Sequence, residues 1–152
     1  MVLKRFTYHI LGIALLLFII FVSCKPQTPT VSDTETEIFN SKESDTITIA
    51  NDSLEYEVII IEPGFYAWLQ SMARPRGFYS QTFLENRNIL FVNEWNRRVT
   101  MPQRYNPNLY ELQINYTPNI DYGYEVNYQM YNYFIYFQRK YNQRLTGLIP
   151  RI

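Results

Sequence analysis

Cysteine and histidine are almost missing from these 152 residues: Cys24 is the only cysteine and His9 the only histidine. Both lie in the first 24 positions, so the chain from Lys25 onward cannot build a Ser-His-Asp triad, a Cys-His pair or a His/Cys zinc site. It cannot close a disulfide on itself either. The five glycines stand singly, which removes any Gly-rich phosphate loop. An excess of one charge is missing too: 14 basic residues balance 14 acidic ones, and no basic face gathers to suit a nucleic acid. What remains is carboxylate, Tyr, Arg, Lys and amide chemistry, with no metal and no cofactor expected.

Only one long apolar run occurs, "ILGIALLLFIIFV" from Ile10 to Val22, preceded by Lys4 and Arg5. Its thirteen residues would rise about 20 Å as a helix, short of the roughly 30 Å hydrocarbon core. A basic flank, a short apolar centre and a small residue at its end match a secretory signal. A spanning helix would need Phe6 to Val22 together, with His9 buried near one end. The run closes on "FVSC", which resembles the lipobox of bacterial lipoproteins in the looser form of the Bacteroidota, with Phe21 in place of the usual leucine. The resemblance implies cleavage after Ser23 and lipidation of Cys24. Residues 1–23 are then a signal peptide, and several acyl chains hold a protein where one would not.

Residues 24–53 form the second division, the lipidated cysteine followed by a Ser/Thr-rich acidic stretch. From Lys25 two lysines face six acids, and so little apolar surface predicts a flexible, extended tether. Within it, "TITIA" alternates as a short strand would. The acids start only at Asp33, whereas surface-exported lipoproteins of this bacterial group carry them directly after the cysteine. A periplasm-facing position in the envelope is therefore expected.

Residues 54–152 supply one modest domain, Tyr-rich, with 13 Tyr, 6 Phe and 2 Trp. "LEYEVIII" alternates and then turns wholly apolar, predicting a strand. "FYAWLQSMA" after Pro63 predicts a short helix. A second helix is predicted to open near Ser80 to Thr82, on capping-box spacing, with Leu84, Phe91, Trp95 and Val99 as its packing stripe. "YNPNL" and "YTPNI" read as matching turns around "YELQINY", a second strand expected to pair with the first. Asp121 is placed as the cap of a last helix, with Glu125 in its first turn. The expected class is α+β: a small two- or three-stranded sheet covered by three helices, preceded by a signal helix and a disordered tether.

Seven tyrosines fall between Tyr122 and Tyr141, interleaved with Asn and Gln. Core packing is the ordinary use of such rings, but a helix aromatic around most of its circumference offers more than one small core requires. Tyr128, Tyr131 and Tyr136 are the candidates for an exposed binding surface. Asn119, Asp121 and Glu125 around Gly123 offer oxygen ligands, but the spacing is wrong for a calcium loop. Paired acids would permit glycoside hydrolysis, with Glu62, Glu94, Glu111, Asp121 and Glu125 available. Each acid also has a plain structural use, and no catalytic residue is singled out.

The strings "EPGFYAWL", "FYSQTFLENRN", "NEWNRR", "YNPNLYELQINYTPNIDYG" and "NYQMYNYF" resemble an uncharacterised family of Bacteroidota envelope lipoproteins, a domain of unknown function, over about Tyr56 to Leu145. The resemblance implies no activity, substrate or catalytic residue. The expected function is a non-enzymatic binding or structural module, lipid-anchored in the cell envelope. Its aromatic-amide surface would meet an envelope protein or a glycan. The alternative is a carboxylate-based hydrolase of envelope or imported polysaccharide.

Overall fold

The computed structural model describes residues 30–41, 46–51, 56–147 and 152. The apolar run 10–22, Ser23 and Cys24 lie outside the described residues. No helix among the described residues is long and apolar enough to cross a membrane.

Four helices build the body: α1 (Asp33–Phe39), α2 (Phe65–Ser71), α3 (Gln81–Val99) and α4 (Tyr124–Lys140). α3 opens where its cap allows, with Ser80 Oγ accepting from the Phe83 N–H at 3.2 Å. Leu84, Phe91 and Trp95 recur along one side of α3 and are buried against α4. α4 starts after Gly123, whose φ of +79° is left-handed. Asp121 lies two residues before the N-cap position, too early to cap the helix. Its Oδ1 accepts from the Gly123 N–H at 2.9 Å and fixes the turn instead.

α4 is the central element, buried around most of its circumference despite its amides. Those amides bond back onto their own helix, four residues earlier. Asn127 donates to Gly123 O, Asn132 to Tyr128 O and Gln138 to Phe134 O, at 2.8, 2.8 and 3.0 Å. A side chain satisfied this way can face apolar neighbours without the usual cost of burial.

The α+β expectation is overturned: the packed body is all-helical, and no sheet forms its core among the described residues. The segment 110–116, expected as a strand beside 54–61, is irregular. Its backbone is satisfied by helix α3 instead. Trp95 Nε1 donates to Leu112 O at 2.9 Å, while the Asn96 amide bonds Ile114 twice, to its carbonyl at 2.9 Å and from its N–H at 2.8 Å. The alternation there does not sort into two faces, since Tyr110 is buried but Leu112 is 78% exposed. Thr46–Asn51 and Tyr56–Ile61 pair with each other as an antiparallel ribbon, Thr46 opposite Ile61. The described core draws on the four helices, the connections before and after α3, and Leu145 beyond α4.

Asn96→Ala removes both bonds to Ile114 and leaves that N–H and carbonyl to water. The expected cost is about 1–3 kcal/mol in urea unfolding, with faster amide exchange at Ile114.

Within the segment read as a tether, residues 33–39 are helical and docked. Seven residues are too few for an isolated helix in water. α1 is held by a capping box between Ser32 and Glu35 and by Ile38 and Phe39 against the core. Gly64, at φ +83°, lies so close beneath the Ile38 carbonyl that a Cβ there would collide with it.

Candidate functional site

Tyr128, Tyr131 and Tyr136, expected at the surface, are 2%, 5% and 0% exposed. Their exposure is therefore corrected. The reason is how a buried phenol is satisfied. Tyr128 Oη donates to the Arg74 carbonyl at 2.7 Å and Tyr136 Oη to that of Pro63, so each ring lies in the core while its tip fastens an outer loop. Tyr131 packs against Tyr79, Phe83 and Phe91, and burial pushes its phenol well above the ordinary value. The surplus of rings on α4 meets rings from α1, α2, α3 and the 101–123 loop.

The five carboxylates separate into two kinds. Glu94 bonds Arg97 and Arg98, each at 2.7 Å, Glu125 bonds the exposed Arg76 at 2.6 Å, and Asp121 also accepts from Gln81. These three are structural. Glu62 and Glu111, by contrast, come together on one open cleft of about 290 Å³. Trp95 from α3, Tyr133 and Phe137 from α4 and Tyr141 at its C-cap supply its rings. Positions 133, 137 and 141 recur every four residues, which continues one stripe of α4 past its end. Leu109 and Leu112 form an aliphatic edge beside Asn108.

Glu62 is positioned from two sides: its Oε1 accepts from Lys140 Nζ at 2.7 Å and Tyr141 Oη at 2.8 Å. Its second oxygen has no partner among the described residues. Glu111 is exposed and has no partner among the described residues. The Tyr133 hydroxyl also lacks a partner among them. Burial first, then the charges of Glu62 and Glu111, push that phenol well above its ordinary value. At neutral pH it is an unused donor beside unused acceptors.

The sequence pattern did not expose this cleft. Phe137 is core, as such rings ordinarily are, with Tyr133 and Tyr141 packed against it, and Glu111 lies in the segment expected as a strand that does not form. The available signal was the four-residue recurrence of rings opposite Trp95.

A second polar cluster is built on a buried ion pair. Glu35, 0% exposed, accepts from Trp68 Nε1 at 2.8 Å, from Arg139 Nε at 2.6 Å and Nη2, and from the Ser32 N–H at 3.2 Å. Arg139 also donates to Thr30 O at 2.8 Å. Burial alone would raise the Glu35 carboxyl. The bonds from Arg139, Trp68 and Ser32 outweigh it and hold the group below its ordinary value. Glu35 and Arg139 are both buried and bonded to each other, so the pair fastens α1 to α4.

These features define an all-helical, aromatic-cored domain bearing one acidic, ring-lined cleft, with no cluster of metal-ligating side chains among the described residues. The chain belongs to a family of unknown function (DUF6146), whose profile matches residues 11–150. No curated protein and no solved structure matches it.

Proposed function

We propose that the protein is a lipid-anchored module of the bacterial cell envelope, facing the periplasm, that binds a protein or glycan partner without transforming it. The observation that carries the binding half is the cleft, where hydrogen-bonding groups with no partner among the described residues lie against rings fixed by the core. The anchor half rests on the apolar run and "FVSC", and the family match begins inside that run and includes Cys24. The finer reading, a Bacteroidota-type lipoprotein family, belongs to the same proposal.

Photocrosslinking in living cells tests the binding half. A photoreactive side chain at position 112, on the cleft edge, should capture a discrete partner. The same probe at position 90, exposed on α3, should not. Equal capture at both positions, or none at either, would sink the reading. For the anchor, Cys24→Ala should abolish acylation and leave an uncut precursor. Acyl mass on the purified Cys24→Ala protein would refute lipidation at that thiol.

One observation favours the hydrolase as a second reading: Glu62 and Glu111 share an aromatic cleft. Against it, Glu62 is already bonded by an ammonium and a phenol, whereas a general acid needs a carboxyl free to protonate its substrate. Turnover of a polysaccharide that disappears in both Glu62→Gln and Glu111→Gln would establish the hydrolase.

A further inference from the structure

Resting on the binding reading above, we infer that the cleft between α3 and α4 is a saccharide subsite, selective for a neutral or amino sugar over an acidic one.

A sugar has two chemistries on one small body: ring C–H faces that pack on aromatic rings, and hydroxyls that both donate and accept. The cleft offers both. Tyr133 of α4 and Tyr141 just past its end present half-buried rings to it, backed from the core by Phe137 and Trp95, the latter with its Nε1 already committed to Leu112 O. Rings held by a packed core lose little freedom on binding, which favours affinity from a small contact area. Around them stand groups with no partner among the described residues: the acceptors Glu111 and the second oxygen of Glu62, and a donor, the Tyr133 hydroxyl. The Asn108 side-chain amide adds one donor group and one acceptor, with only its backbone N–H otherwise engaged.

Size and charge narrow the ligand. At about 290 Å³ the cleft lies at the lower end of small-molecule sites, enough for a mono- or disaccharide unit and too small for a folded partner. Glu62 is paired with Lys140, so Glu111 supplies the unbalanced charge. That charge repels uronic and other acidic sugars and accepts hydroxyls or a sugar ammonium. A plain cation cage would suit the rings too, but it has no use for the donors at Tyr133 and Asn108.

The full-length protein in nanodiscs, titrated with neutral oligosaccharides, chitosan oligomers and oligogalacturonate, tests the assignment by tryptophan fluorescence and calorimetry. Neutral or amino-sugar oligomers should bind, and the uronate at least about tenfold more weakly. Glu111→Gln, on the exposed rim, should weaken binding about tenfold, and Tyr133→Phe, which removes one hydroxyl, about fivefold, with unfolding midpoints near wild type. Binding unaffected by both substitutions would overturn the assignment, as would saturation by tetramethylammonium with no saccharide bound. If no saccharide binds while the position-112 probe still captures a protein in cells, the sugar assignment falls and the binding reading stands. If neither occurs, both fall.

Discussion

Arg139→Ala lowers stability by about 3–5 kcal/mol, because it strands Glu35 as an ionised group inside the fold. The wild-type carboxylate is tolerable there only because Arg139 meets both of its oxygens and Trp68 and Ser32 take up further acceptor capacity. Without the guanidinium, the chain must keep an uncompensated charge, protonate Glu35, or release α1. A seven-residue helix has no stability of its own to resist release, so amide exchange across 33–39 should approach unfolded rates. The double variant Glu35→Leu with Arg139→Met separates pairing from packing. Both charges go at near-constant volume, and most of the loss is recovered. The shortfall is the Trp68 N–H, which then has no acceptor. Urea unfolding of the three variants measures this, and a double variant as unstable as Arg139→Ala would show that the ion pair is not what matters.

The pH dependence follows from the direction of the Glu35 shift. Its folded value is depressed, so it contributes stability in full above the ordinary carboxyl value of about 4.5 and loses it as pH falls through the lower folded value. α1 should therefore stay docked at neutral pH and loosen only under distinctly acid conditions. Arg139→Ala removes that acid limb.

What the sequence shows and hides here follows from which signals are local. α3 was legible because its start signals and its apolar stripe lie within the segment. The onset falls at Ser80, the early edge of the Ser80 to Thr82 range, although Thr82 and Glu85 lie inside the helix. Leu84, Phe91 and Trp95 face inward as spaced, with Val99 partly buried. The onset of α4 was displaced by two residues because Asp121 bonds Gly123 rather than the helix. Three features were hidden by partners distant in the chain. Asn96 and Trp95 take the backbone bonds that "YELQINY" would otherwise give to a strand. Arg139 reads as the solvated end of a helix until Glu35, 104 residues away, is placed against it. Tyr128, Tyr131 and Tyr136 read as surplus because the rings and carbonyls that absorb them come from other elements. The cleft was hidden for the same reason: Glu62, Glu111 and Trp95 share nothing in sequence and meet only when α3 and α4 pack.

Tyr136 distinguishes core from surface most directly. Its ring centroid lies 5.3 Å from Phe39, 5.4 Å from Phe65 and 5.7 Å from Trp68, joining α1, α2 and α4 at one point. Truncating such a ring removes buried area and leaves a cavity that rigid helices fill poorly, so Tyr136→Ala should cost about 3–5 kcal/mol. Tyr136→Phe should cost only about 1 kcal/mol, since the Pro63 carbonyl keeps its bond from Lys140 Nζ at 2.9 Å. A surface ring used for binding would behave in the opposite way, with near-normal stability in the alanine variant and lost capture of a partner. The Tyr136 and Arg139 effects should also fail to add, because both side chains hold α1: once one has released the helix, the other has less left to lose. A double variant Tyr136→Ala with Arg139→Ala that is less destabilised than the sum of the two singles would identify α1 as a single docked unit. Full additivity would mean that the two side chains hold separate parts of the fold.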